Sequence, residues 1–363
     1  MKLGLGLYRH MLTPENFRFA RQCACTHIIV HLVDYFHQGE GNRQNQPVGS
    51  QAGWGRAGDP NKLWSYEELA ELRRNVNNHG LELHAIENLD PAYWHDVLLD
   101  GPKKAQHLEN VKTIIRNMGR AGIPVLGYNF SLPGVAGRIE GPFARGGAIS
   151  VGMDEADQTP IPNGTIWNMV YDPDAPPGTV APITSEQLWQ RLADFLEAVI
   201  PVAEEAGVTL AAHPDDPPLP VLRGQPRLVY QPRLYQKLID LKLSPRNALE
   251  FCVGTLAEMT EGDIYEVVDH YSRQGKLAYV HLRNVFGKAP RYRETFIDAG
   301  DVDALRVLDI LQRNHFDGVI IPDHTPQVEC AAPWHAGMAF ALGYFRAVLQ
   351  RFESTLSVCP EGR

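Results

Sequence analysis

Four residues far apart in the chain share one setting, at or near the end of a short apolar run. His213 stands in AAHPDDPP, Cys252 in EFCVG, His281 in YVHLRN and Asp323 in IIPDH, with His324 beside it. Two imidazoles, a thiolate and a carboxylate are all competent donors for a divalent ion. Such a mixed nitrogen, sulfur and oxygen set suits Mn²⁺, Fe²⁺, Co²⁺ or Zn²⁺ better than Ca²⁺ or Mg²⁺. Taken singly, each residue has a plainer reading: a hydrogen-bonded core histidine, or a cysteine acting as a small hydrophobe. Taken together they would leave several unsatisfied polar groups buried, and a shared cation removes that cost.

Other runs end on polar groups as well: Tyr8 and Arg9, His31 and Asp34, Glu87 and Asn88, and Asn129. Arg283, two residues past His281, is expected to act at the catalytic centre by holding a substrate carboxylate or hydroxyl, since a guanidinium can grip a carboxylate bidentately. The alternative for Arg283 is a structural ion pair at a rim. Arg9, Glu87 and Asn129 complete the expected substrate-binding set. Asp215 and Asp216 either orient ligands or pin a turn. His10, His37, His79, His84, His95, His107, His270 and His315 show no convergent placement and read as ordinary residues.

The elements that must position these residues are eight apolar strands: Leu3–Tyr8, His27–Leu32, Glu82–Glu87, Val125–Phe130, Thr209–Pro214, Ala248–Gly254, Leu277–Asn284 and Gly318–His324. Each is followed by room for a helix. Thr13 caps a helix starting at Pro14. Ser65 with Glu68 and Thr184 with Gln187 form capping-box patterns, and Gly80 and Gly207 mark the ends of those two helices. Eight βα units with near-continuous apolar strands predict a closed (β/α)8 TIM barrel, in which strand ends converge on one axis. An open doubly wound sheet is disfavoured, because Gly4 and Gly6 lie inside the first strand and no Gly-rich phosphate loop follows it. Two Gly- and Pro-rich insertions, about 37–62 and 132–182, follow strands two and four. With no repeat or linker, 1–363 reads as a single domain.

Composition narrows the function. The 363 residues carry a net charge of −9, so no basic field favours nucleic acid. The five cysteines are odd in number and irregularly spaced, which suits a reducing compartment rather than a disulfide framework. No run of 18 apolar residues exists, and Met1–Tyr8 lacks signal-peptide grammar. The expectation is a cytoplasmic protein that binds neither nucleic acid nor membrane, takes a small molecule and forms a homo-oligomer.

HPDDPP at His213–Pro218, CVGT at Cys252–Thr255, HLRN at His281–Asn284, GDVD at Gly300–Asp303 and PDH at Pro322–His324 together resemble the D-mannonate dehydratase family. The stretch ENVKTIIRNMGRAGIPVLGYNF at Glu109–Phe130 is similar to it too. The resemblance spans strands three to eight and, more loosely, the first two. It implies a xylose-isomerase-like barrel that removes water from D-mannonate, giving 2-keto-3-deoxy-D-gluconate in hexuronate breakdown, usually with Mn²⁺. It further implies His213, Cys252, His281 and Asp323 as metal ligands and His324 as the acid/base residue. One departure stands out: the family's proton-transferring tyrosine aligns with Met338, with His335 and Tyr344 nearby. Two alternatives therefore stay open. One is a metal-dependent isomerase or epimerase on the same scaffold, and the other is a non-catalytic sugar-acid-binding relative.

Overall fold

The computed structural model describes residues 1–36, 48 and 54–358, with side chains to residue 354. His37, most of the expected 37–62 insertion and Cys359 lie outside the described residues. Eight parallel strands close into a barrel: β1 Lys2–Tyr8, β2 His27–His31, β3 Glu82–Glu87, β4 Val125–Tyr128, β5 Thr209–Ala212, β6 Asn247–Cys252, β7 Leu277–His281 and β8 Val319–Ile321. Each pairs with its sequence neighbours, and β8 returns to β1 through Lys2 opposite Val319. All eight expected strands are present. The last four end two or three residues early, so His213, Asp323 and His324 stand just beyond their strands.

Side chains alternate along a strand, and that period of two aims the site. On β1, Leu3, Leu5 and Leu7 pack outward under the helices. Gly4, Gly6 and Tyr8 occupy the other face, where a Cβ on Gly4 would lie 2.6 Å from Val319 Cγ1. Ile29, Ala85, Val125, Ala211, Tyr279, Val319 and Ile321 fill the barrel interior as a separate cluster. Two residues further along these same faces come His31, Glu87, His213, His281 and Asp323. The apolar plug of the barrel and the polar mouth above it are thus one face of each strand read in succession.

The helices follow the start and stop signals. Thr13 caps α1 (Pro14–Gln22) through the amide of Asn16. Both capping boxes form, at α2 (Tyr66–Asn78) and at a 22-residue helix, Ser185–Ala206, with Gly80 and Gly207 left-handed just past the two ends. The second insertion is folded. Ile139–Gly141 and Ser150–Met153 join a hairpin of Asn284–Lys288 and Arg291–Thr295 as a four-stranded antiparallel sheet. A second hairpin, Thr165–Ile166 with Met169–Val170, pairs with Gly55–Arg56. Among the described residues no helix is long and apolar enough to cross a membrane.

Candidate active site

Register brings the expected metal ligands together. Cys252 and His281 are opposite one another on β6 and β7. Donor atoms of His213, Cys252 and His281 all lie within 4.8 Å of one another. Asp323 joins them, with Oδ2 3.6 Å from Cys252 Sγ and Oδ1 3.6 Å from His281 Nδ1.

The neighbours of each donor fix its chemistry. His213 Nδ1 is 2.7 Å from the Pro214 carbonyl, which can only accept, so Nδ1 carries a proton; burial would lower the ring's pKa but the contact with Cys252 raises it to about 9, so a cation at Nε2 would displace a proton there. His281 Nε2 lies 3.2 Å from Glu87 Oε2 and 3.6 Å from Glu250 Oε1, leaving Nδ1 toward Asp323. A carboxylate behind a histidine is the usual support for a metal-binding imidazole. Burial alone would push the Cys252 thiol up, but the Arg283 guanidinium and contacts from His213 and His281 draw it down to about 6, which favours thiolate. Burial would raise Glu87 too, yet the nearby His31 and His281 hold it near 2. Burial, then the charge of Glu87, pushes Glu250 well above the ordinary carboxylate range, which favours its protonated form.

The donor set fits a divalent cation. Carboxyls of Asp216, Glu258, Glu294 and Asp323 surround Arg283, Asp216 also meets Arg138, and Glu87 and Glu250 stand against His281. Both ring nitrogens of His281 and one oxygen of Glu87 are buried without a hydrogen bond. A cation beside His281 would satisfy the ring nitrogen that faces Asp323, leaving the other to Glu87.

These residues open into a cavity of about 100 Å³ lined by Tyr8, His31, Glu87, Asn129, Arg138, His213, His281, Asp323, His324 and Met338, with Tyr35, Trp54, Trp167 and Trp334 among its other walls. Expected site residues Glu87, Asn129 and His324 therefore reach it. His324 Nδ1 lies 2.7 Å from Glu294 Oε2 and its Nε2 3.2 Å from Asp323 Oδ1. Met338 faces the same cavity, so no phenol occupies that position.

Two residues expected to bind substrate, Arg283 and Arg9, stand off the cavity wall. Arg283 does not line the cavity: Nε donates to Asp323, Nη1 to Glu258, and Nη2 to Asp216 and Thr255 Oγ1, at 2.7–3.3 Å. The second N–H of Nη1 faces Glu294 Oε1 at 3.6 Å, so the group is surrounded by the protein's own acceptors. The glycine of CVGT makes room for it, since a Cβ on Gly254 would meet Arg283 Cγ at 2.3 Å. Arg9 is exposed and also misses the cavity wall. The guanidinium that does line it is Arg138, from the second insertion, paired with Asp216. Of the two turn aspartates, Asp216 joins this ion network, whereas Asp215 pins its loop through Arg227 and the amides of Leu228 and Val229. Arg283→Met strips the countercharge from buried carboxylates and should cost about 3–5 kcal/mol. The midpoint of urea unfolding measures this, and a variant as stable as the parent would show that Arg283 carries no structural load.

His95 and His107, read as ordinary, do converge with Asp96 in a second buried trio. Its hydrogen bonds argue against a metal. His107 Nδ1 accepts the Asp96 amide N–H at 3.1 Å, so its proton is on Nε2 and no lone pair remains. Burial brings His107 down to about 4, in keeping with a neutral ring. Sequence reading also missed Arg138 and Glu294. Glu294 had a signal, the alternation Arg291–Tyr292–Arg293–Glu294 after the Ala289–Pro290 turn, with Tyr292 and Glu294 buried.

The model of the D-mannonate dehydratase (UxuA) family matches residues 50–137 and 179–350. The unmatched gap, 138–178, is the folded second insertion. A mannonate dehydratase of Streptococcus equi subsp. zooepidemicus is 31% identical over 276 residues, covering 72% of this chain and 75% of that protein. The crystal structure of mannonate dehydratase from Streptococcus suis serotype 2 superposes with a TM-score of 0.76 at 26% identity, covering 99% and 96% of the two chains. An L-ribulose 3-epimerase shares the barrel alone, at 13% identity, a TM-score of 0.55, and 100% and 99% coverage. Matched on both sides of its insertion and alike to relatives over most of their length, the chain belongs to the D-mannonate dehydratase family of metal-dependent hydro-lyases.

Proposed function

We propose that this protein removes water from D-mannonate, or a sugar acid of that type, to give the 2-keto-3-deoxy acid, with Mn²⁺ held by His213, Cys252, His281 and Asp323. The observation that carries the reading is the donor cluster of His213, Cys252 and His281 within 4.8 Å, placed in the wall of a cavity that also holds His324. A divalent cation bound there supplies the Lewis acidity that stabilises negative charge on the carboxylate as the adjacent carbon loses its proton.

The chain's own groups do the rest. Glu294, kept ionised by His324 and Arg283 against the effect of burial, can only accept, so it fixes the proton of His324 on Nδ1. Nε2 is then the atom that takes the proton beside the substrate carboxylate. The charge formed on the ring meets a carboxylate on each side, Glu294 and Asp323. Arg138 is the cationic wall for the anionic end of the substrate, taking the role expected of Arg9 and Arg283, and Asn129 and Glu87 face its hydroxyls. Arg283 acts as a positioning residue, holding Asp323 by Nε at 2.8 Å.

Incubation of the Mn²⁺-loaded protein with D-mannonate and related aldonates, followed by mass spectrometry, tests this reading. Loss of one water, with a 2-keto-3-deoxy acid as product, is the expected result. A product of unchanged mass would instead support the isomerase or epimerase alternative. Binding without turnover across the panel would support the non-catalytic one.

A further inference from the structure

Expelling water from neighbouring carbons takes two proton transfers, one from the carbon beside the carboxylate and one to the departing hydroxyl. His324 accounts for the first. Few other groups on the cavity wall have a proton to give. His31 has the Tyr35 hydroxyl 3.4 Å from Nδ1, and burial draws its pKa down, which favours a neutral ring with no acidic proton to give. The Tyr35 hydroxyl also accepts from Asn88 Nδ2 at 3.0 Å. Arg138 is paired with Asp216. Amide and indole N–H groups are far too weakly acidic.

Tyr8 is different. It ends β1 on the inward face, after Gly4 and Gly6, so it is the first inward side chain of that strand to reach the cavity. Its ring is clamped edge-on by Phe36 at 5.1 Å and Tyr35 at 5.9 Å, and tilted against His31 at 5.0 Å. Among the described residues its hydroxyl makes no hydrogen bond. Burial, then the carboxylates of Asp323 and Glu87, holds the phenol well above its ordinary range, so it is kept protonated.

We propose that Tyr8 is a second catalytic residue, the acid that protonates the hydroxyl leaving carbon 3. The assignment rests on the dehydration reading above. In the first step His324 Nε2 takes the proton of carbon 2, and the electron pair of that C–H bond moves onto the carboxylate as an enediolate, which either takes the proton back or returns the pair to form the double bond between carbons 2 and 3. The C–O bond at carbon 3 breaks, and its oxygen departs as water with the phenolic proton. In the second step the phenolate recovers a proton from the enol hydroxyl on carbon 2, which becomes the ketone. The imidazolium returns its proton to carbon 3. Both side chains end as they began, and no other reactant is consumed.

The test is Tyr8→Phe in the Mn²⁺-loaded enzyme, assayed in deuterium oxide beside the parent. Phenylalanine keeps the ring packing, so metal content and KM should stay near parental values while kcat falls roughly 10²–10⁴-fold. Recovered mannonate should still gain deuterium at carbon 2, because His324 continues to remove and return that proton. A variant with parental kcat would overturn the assignment, as would one that loses exchange, water loss and metal together. Failure of the parent enzyme to dehydrate mannonate would instead overturn the underlying reading, and the assignment with it.

Discussion

Cys252→Ala protein is expected to purify folded and to bind Mn²⁺ at least about 100-fold more weakly than the parent, with activity falling in step. Changes behind a metal ligand already cost roughly 10–100-fold in affinity, and removal of a ligand should exceed that. The thiol is fully buried, is drawn toward thiolate by Arg283, and sits 3.6 Å from Asp323 Oδ2. It has one structural duty as well: its sulfur accepts the amide of Thr255 at 3.4 Å, capping the short helix Val253–Glu258. Losing that cap costs about 1 kcal/mol, which a barrel of this size tolerates. Cys252→Ser separates the two effects, since a hydroxyl keeps the cap but is a far poorer metal donor. Metal analysis after dialysis is the measurement. Full metal stoichiometry in both variants would remove Cys252 from the ligand set.

His324→Asn should leave metal content and fold unchanged and lower kcat by roughly 10²–10⁴-fold, the range for loss of a general base. The ring stands outside the donor cluster but within reach of it, 3.2 Å from Asp323 and 2.7 Å from Glu294. Asparagine is close in size and keeps a donor for Glu294, so little packing is lost. The variant should also stop deuterium exchange at carbon 2, the opposite of the outcome expected for Tyr8→Phe. An active His324→Asn enzyme, or one that still exchanges that proton, would reassign the base. The pair of variants thus divides proton removal from water release.

How far the site could be read without coordinates depends on which forces placed each residue. The inward placement of His213, His281 and Asp323 was legible because strand alternation is a local rule. Residues two steps beyond Ala211, Tyr279 and Ile321 had to share a face with the barrel core. The helix caps at Thr13, Ser65 and Thr184 were legible for the same reason, since their partners lie three residues away. Arg283 and Arg138 could not be sorted this way. A guanidinium goes where carboxylates surround it, and those around Arg283 come from Asp216, Glu258, Glu294 and Asp323, which only barrel closure gathers.

The 138–178 insertion shows the same limit. Its Pro- and Gly-rich sequence has no period, yet Ile139–Gly141 and Ser150–Met153 are strands because the hairpin at Asn284–Thr295 supplies an edge to pair with. His95 and His107 give the clearest case. Sequence types alone would permit a metal trio there, and the backbone amide of Asp96 bonding to His107 Nδ1 takes away the lone pair it would need. Sequence by itself therefore determined the barrel, its caps and the inward-facing donors, because short-range periodicity and sterics decide them. Tertiary structure alone decided which arginine meets the cavity, which carboxylate steadies His324 and which histidine cluster can take a cation. Charge pairing and proton position depend on groups that are distant in the chain and adjacent only after folding.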